Sequence, residues 1–383
     1  MKSTWWKDEG DLVAEQVAIL DIPPEKSILI KGPPGSGKTN LLLLRANYLA
    51  LGDHPNLQVV VFGSLLKSFI RIGGVQYKFP ADRVTTHARL FDGILRENGV
   101  GIDTKGMDLD VAREARAKGV EALIKSGKIG KLFDALLLDE AQDYTVREIK
   151  IFAHVATILV AAADEFQKVF KGEDCLPTLE SSVEIKHPLT YHFRNGRDIC
   201  RIADEILKGY PDHFPLLKNS QYDEKAYPVK ISIKGGLSID QQADAIAAQV
   251  QDQLVAYPEE TIGIICPRNE DVAAIAKALS HLGLDDSITI CKEAGFNPEA
   301  PVWLSTMTAA KGLEFRCVHI AGLDHLSKMG GVQKRLAYTA VTRAKTALSF
   351  YYENSIPPYL AGALNVVSPS TKAITRSRIF GKE

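Results

Sequence analysis

Cysteine is scarce in this chain and scattered where it occurs. The five (Cys175, Cys200, Cys266, Cys291 and Cys317) never form a Cys-x-x-Cys pair. That suits reduced thiols in a cytosol and argues against a zinc site. The nine histidines are isolated too, so no structural metal is expected. Long hydrophobic runs are also missing. The longest, 155–163 with Thr157 interrupting it, falls far short of a membrane span. Charge of one sign is not in excess: 46 Lys and Arg stand against 47 Asp and Glu. No global basic field announces a polyanion partner, so any nucleic-acid surface must be a local stripe. The opening residues 1–9 are polar and of mixed charge, with Trp5 and Trp6 among them, unlike a secretory leader. The expected location is the cytoplasm, with no membrane partner. No internal repeat is visible. A hydrophobic share of 45% over 383 residues describes an ordinary globular protein, long enough for two cores.

Against these absences one stretch stands out. Residues 27–31 form a short apolar run, long enough for a buried strand. Gly32, Pro33, Pro34, Gly35, Ser36, Gly37, Lys38 and Thr39 follow as G-P-P-G-S-G-K-T, which fits the phosphate-loop pattern G-x-x-x-x-G-K-[ST]. Asn40 and a leucine-rich helix come next, with Gly52 as the expected cap. Glycines let consecutive N–H groups face an anion, and the helix N-terminus adds partial positive charge. Lys38 is expected to reach the β- and γ-phosphates of a nucleoside triphosphate, and the Thr39 hydroxyl to ligate Mg²⁺.

Along the chain, helical spacing covers 11–20 until Pro23-Pro24 breaks it. Strands are expected at 57–62 and 84–87, each followed by a helix, at 65–72 and 90–97. Residues 98–130 are rich in glycine and carry Arg113, Arg116, Lys118, Lys125 and Lys128. They read as a small, partly helical insertion whose basic face is either a solvated surface or a groove tracking a phosphate backbone. Strands at 133–138 and 157–163 end in acids: Asp139-Glu140 and Asp164. Strands alternating with helices, and acids at strand ends, predict a parallel α/β sheet with its ligand outside the strand carboxyl ends. A second alternating set begins near Lys186. It comprises strands at 229–233, 261–266, 302–305 and 317–321 and helices at 196–207, 271–282 and 333–344. The expected units are 1–185, 186–360 and a flexible tail, 361–383.

Asp139-Glu140, roughly a hundred residues past the phosphate loop, is the expected second half of an ATPase site. Asp139 would hold Mg²⁺ and Glu140 would polarise the attacking water. From here the sequence resembles the superfamily 1 helicases, most closely the UvrD/Rep-type group, over nearly its whole length. Gln16 lies sixteen residues before Gly32, where that family places the glutamine that reads the adenine edge. Val59 to Lys67 and Val84 to His87 resemble its first strand-contacting segments. L-L-L-D-E-A-Q-D matches its acidic motif, and A-D-E-F-Q, ending at Gln167, is similar to the γ-phosphate-sensing motif. L-T-Y-H-F-R would put Phe193 on adenine and Arg194 at the γ-phosphate. T-M-T-A-A-K-G-L-E-F, from Thr306, sets Gly312 and Glu314 beside the nucleotide, Glu314 near the ribose. R-L-A-Y-T-A-V-T-R-A-K supplies Arg343 as a second arginine.

The resemblance implies two RecA-like P-loop domains with parallel sheets flanked by helices and ATP in the cleft between them. Lys38, Glu140, Gln167, Arg194 and Arg343 would carry hydrolysis. Single-stranded nucleic acid, DNA rather than RNA, would run across both domains. Phe62, Ser64, Thr86, His87, Phe170, Thr306 and Thr308 are the candidate contacts. Four departures fall on the nucleic-acid side: Thr308 stands where a histidine is usual, His192 replaces an asparagine, Ala163 replaces a glycine, and the Trp-Arg-Gly run after Gln167 is missing. The Y-T-A-V-T-R-A-K wording also resembles the branch of opposite polarity, so movement 3′-to-5′ is only the leaning. Between Leu207 and Val302 there is no room for the group's large accessory domain. The expectation is therefore a compact translocase with a protein partner such as a nuclease. The rival is an ATP-gated clamp with little unwinding of its own.

Overall fold

A computed structural model of the protein describes residues 9–63, 78–164, 167, 173–210, 213–291 and 296–368. The first sheet orders its strands β3-β2-β4-β5-β1-β6, all parallel. They are β1 (Ile28–Lys31), β2 (Leu57–Val61), β3 (Val84–Thr86), β4 (Phe133–Leu138), β5 (Ala156–Ala163) and β6 (Ile185–Pro188). Its helices are α1 (Ala14–Leu20), α2 (Lys38–Leu51), α3 (His87–Glu97), α4 (Leu109–Lys125), α5 (Val146–Val155) and α6 (Leu176–Ser181). Alternation along the strands divides the core between the two faces. On β4, Ala135 and Leu137 pack with α2, whereas Leu136 and Leu138 face the side of α3, α4 and α5.

The second sheet runs β7-β12-β11-β8-β10-β9, again parallel throughout. Its strands are β7 (Lys230–Lys234), β8 (Ile262–Cys266), β9 (Ile288–Ile290), β10 (Val302–Thr306), β11 (Phe315–Ile320) and β12 (Ala344–Tyr351). The helices α7 (Arg197–Ile206), α8 (Ile239–Ala256), α9 (Asn269–His281), α10 (Gln333–Val341) and α11 (Pro358–Asn365) cover it. Ile265, Phe315 and Ile320 pack beneath α7 and α10; Ile264, Cys266 and Cys317 pack beneath α8 and α9. Two parallel-sheet α/β domains with flanking helices are what the alternating pattern predicts.

Two boundaries need revising. Residues 185–188 are an edge strand of the first sheet, paired to β1, so the crossing into the second domain begins after Pro188 rather than at 186. The first residues of the expected tail, 361–365, belong to α11, because Leu360, Ala363 and Leu364 are buried against the second core. The insertion is dominated by one long helix, α4, and much of its basic character is already paired. Arg113 and Arg116 bond Glu148 and Asp92, Lys118 and Lys125 sit beside Glu114 and Glu121, and Lys131 bonds the Ala153 and Ala156 carbonyls. Trp5, Trp6, the expected helix at 65–72 and the end of the tail lie outside the described residues. Among the described residues, no helix is long and apolar enough to cross a membrane.

Candidate active site

The phosphate loop joins β1 to α2, at the carboxyl end of the strand between β5 and β6. Gly35 (φ 75°) and Gly37 (φ 87°) occupy the left-handed region that side chains disfavour. Packing demands glycine as well. A Cβ on Gly35 would fall 2.5 Å from the Arg194 Cβ, and one on Gly37 would fall 2.8 Å from the Gln16 amide nitrogen. Pro33 and Pro34 are buried, and the Ser36 hydroxyl donates to the Pro33 carbonyl at 2.9 Å. Lys38 opens α2, and its ammonium donates to the Gly32 and Pro33 carbonyls at 2.7 and 2.8 Å. Burial pulls that ammonium below its ordinary pKa, against the opposing pull of Asp164, 3.9 Å away, and of Glu140. Asn40 lies buried two residues on. Gln16 is buried with both ends of its amide engaged. Its nitrogen donates to the Ser36 carbonyl at 2.9 Å and its oxygen caps the Val13 N–H at 3.1 Å. The amide that the resemblance assigns to an adenine edge is thus fastened to the loop itself.

The acids arrive from the ends of β4 and β5. The Thr39 hydroxyl lies 3.0 and 3.2 Å from the two oxygens of Asp139. Burial, and after it the charge of Glu140, pushes the Asp139 carboxyl up to about 7, with the Thr39 hydrogen bond opposing. A buried carboxylate beside a hydroxyl is a hard oxygen pair of the kind Mg²⁺ takes together with phosphate oxygens, so the residues fit that ion. Glu140 has φ 49° and ψ 43°, the one left-handed residue other than glycine among those described. Such a conformation costs about 1–3 kcal/mol. Gln142 holds the strained residue in place: its amide donates to the Glu140 carboxylate at 2.5 Å and accepts from the Asp164 N–H at 2.9 Å. Burial works to raise the Glu140 pKa, but the positive charges of Lys311, Arg343 and Lys38 outweigh it and hold the group below its usual value.

The second domain completes the site. The Phe193 N–H donates to the Gly35 carbonyl at 3.0 Å, so the crossing chain lies directly on the phosphate loop. Arg194 pairs with Glu314 and donates to the Thr342 carbonyl at 3.3 Å. Lys345 stands 3.8 Å from the other oxygen of Glu314. Both cations hold Glu314 below its ordinary value, although burial acts the other way. Arg343 is buried, and each of its three nitrogens donates one hydrogen bond. It donates to the Thr339 and Leu313 carbonyls at 3.0 and 2.9 Å and to the Gln167 side-chain oxygen at 2.7 Å. Burial, then the charge of Arg194, draws Arg343 down to about 10. Lys311, beside left-handed Gly312 (φ 79°), reaches back across the cleft to Asp143 and the Gln167 carbonyl, with Glu140 at 3.6 Å.

The expected nucleotide-side residues therefore converge at one cleft. Three further residues meet there, Lys311, Gln142 and Asp143, all inside the same motifs but with no role expected of them from sequence. The nucleic-acid candidates are less exposed than expected. Phe62 stacks on His87 at 5.2 Å and lies 5.7 Å from Tyr144, and burial pushes His87 down to about 4. The Thr86 hydroxyl caps α3 through the Arg89 N–H at 3.4 Å. That of Thr306 accepts from the Ala309 N–H at 3.2 Å, while the Thr308 carbonyl accepts from the Lys311 N–H. Ser64 and Phe170 lie outside the described residues.

Fold and cleft together define a two-domain α/β protein whose phosphate loop packs against Arg194 at the start of its second domain. Residues 301–351, from β10 to β12, match the UvrD-like helicase C-terminal domain family. That similarity agrees with the superfamily 1 resemblance of the motifs. Among solved structures, the chain is similar to the C-terminal domain of a possible DNA helicase from Lactobacillus plantarum WCFS1. The identity is 23% over 44% of this chain and 92% of that one, with a TM-score of 0.32. It is also similar to the arterivirus nonstructural protein 10 helicase, at 15% identity over 93% of this chain and 65% of that one, with a TM-score of 0.42. No curated protein matches the chain.

Proposed function

We propose that this chain is an ATP-hydrolysing motor of superfamily 1 that moves on single-stranded nucleic acid, DNA before RNA. The observation that carries the reading is the contact between Gln167 and Arg343, 2.7 Å long and spanning the two domains beside the phosphate loop. A side chain that would sense the γ-phosphate is thereby tied to an arginine of the opposite domain, so a change at the phosphate would alter how the domains meet. Lys38 would bind the β- and γ-phosphates, and Glu140 would orient and deprotonate water. Arg194 and Arg343 would stabilise charge on the leaving oxygens. Thr39 and Asp139 would hold Mg²⁺, which neutralises phosphate charge when bound. Phe193 would stack on the base, with Gln16 and Glu314 setting the loop and Arg194 around it. The polarity we favour is 3′-to-5′, the compartment cytoplasmic. The test is ATP turnover measured against single- and double-stranded DNA and RNA. Turnover that no nucleic acid alters would refute the motor.

A second reading is an ATP-gated clamp that grips nucleic acid or a partner protein and hydrolyses slowly. The packing of Phe62 against His87 favours it, because bases need open aromatic faces on which to stack. A strand-displacement assay separates the two, since a clamp would bind a tailed duplex without opening it.

A further inference from the structure

Arg113 lies on α4, inside the insertion, and is not part of the hydrolytic site. Its guanidinium nevertheless joins three pieces of that site's surroundings. It donates to Glu148 Oε1 at 2.8 Å and pairs with Glu148 Oε2 through a second nitrogen. The same nitrogen donates to the Asp143 carbonyl at 2.9 Å. Its central carbon sits 5.1 Å from the centre of the Phe62 ring, within cation–π range. Glu148 is fully buried, and it also caps the start of α5 through the Thr145 N–H at 2.8 Å. Asp143, whose backbone Arg113 grips, is the residue whose carboxylate receives Lys311 from the second domain. Phe62, over which Arg113 lies, stacks on His87 at the exit of β3.

We propose that Arg113 is a positioning residue that couples nucleic acid at the β2 and β3 strand exits to the acidic segment of the ATP site. The insertion is then a transmission element rather than a decoration. The inference rests on the motor reading. A strand pressed against Phe62 or His87 moves a ring that touches the guanidinium. The guanidinium is rigidly forked to Glu148, so the displacement passes to the Asp143 backbone and on to Lys311 and Glu140. Phosphate contacts by the insertion's cations are not needed for this, which fits the pairing of Arg113, Arg116, Lys118 and Lys125 with carboxylates.

The experiment compares ATP turnover with and without single-stranded DNA in the full chain. The variants are Arg113→Met and the double variant Arg113→Met, Glu148→Gln. The second removes both members of the buried pair, so no lone charge is left to unfold the protein, and the glutamine still accepts from Thr145. Unstimulated turnover and the KM for ATP are expected to match the wild type. Stimulation by DNA is expected to fall about 2- to 30-fold, the range typical of broken coupling networks. An unchanged stimulation ratio in the double variant overturns the proposal. So does a proportional loss of unstimulated and stimulated turnover, which marks a merely structural pair. A wild type that DNA does not stimulate refutes the motor reading, and the proposal falls with it.

Discussion

Lys38 and Glu140 stand at opposite ends of the chemistry and fail in different ways when altered. Lys38→Ala removes the one lysine expected to carry the β- and γ-phosphate charge, and turnover should be abolished. Near-normal steady-state hydrolysis by that variant would remove the site assignment. Glu140→Gln keeps the shape and the Gln142 contact but cannot take a proton from water. It should bind a fluorescent ATP analogue normally and stall afterwards; loss of binding would make Glu140 a structural residue. Arg194→Ala and Arg343→Ala should each lower turnover by about 10³–10⁵, as removal of an arginine finger does. Turnover within tenfold of wild type, with an intact circular-dichroism spectrum, would exclude that role. These residues were legible because their chemistry is written in contiguous motifs. Lys311 and Gln142 were not, since their roles exist only by proximity. Lys311 meets a carbonyl 144 positions away in the chain, and Gln142 acts by bridging two strand ends. No local pattern encodes such a meeting.

Among the elements, strongly apolar strands could be read, and faintly striped helices could not, even where they are well capped. Helix α8, the longest of those described, presents Ala243, Ile246, Ala247 and Val250 to the core. Two of those four are alanines, so its hydrophobic stripe is faint despite the capping box from Ser238 to Gln241. Strand β12 follows directly on the Arg343 motif, and the helical reading ran into its first residue; it is a central strand buried on both faces. The layer these two elements share carries a pH dependence. His319 on β11 bonds the Tyr351 hydroxyl of β12 and Gln253 of α8, both at 2.9 Å. Burial pushes His319 down to about 3. The unfolded chain protonates this imidazole below about pH 6.5, while the folded one stays neutral. Its contribution to stability is therefore complete above that pH and is lost as the pH falls towards 3, by up to about 1.4 kcal/mol per pH unit. His319→Gln should be less stable at pH 8 yet lose less Tm between pH 7 and pH 5 than the wild type. Parallel Tm curves would refute this.

At the scale of the molecule, the two-domain plan was legible and the crossing point was not. Strand β6 is half-buried, alternately polar, and reads like a linker, because an edge strand needs little apolar surface of its own. The interval from Leu207 to Val302, by contrast, is accounted for by β7, α8, β8, α9 and β9 with their connections. Every one of those strands belongs to the second sheet, so nothing in the interval forms a separate accessory module among the described residues. The insertion is equally committed, since α4 packs against α3 and α5 through Ala117, Val120 and Leu123. Opening duplex DNA costs about 1.4 kcal/mol per base-pair step in stacking alone. A motor of two domains that grips only single strand has few surfaces with which to trap each opened pair. We therefore expect poor unwinding by the chain alone and improvement with a protein partner, such as a nuclease, that supplies a wedge. The measurement is strand displacement on a tailed duplex at saturating ATP, with turnover followed in parallel. Brisk hydrolysis with little displacement is the expected result. Rapid, processive unwinding by the purified chain would show that the reduced architecture suffices and that no partner is required.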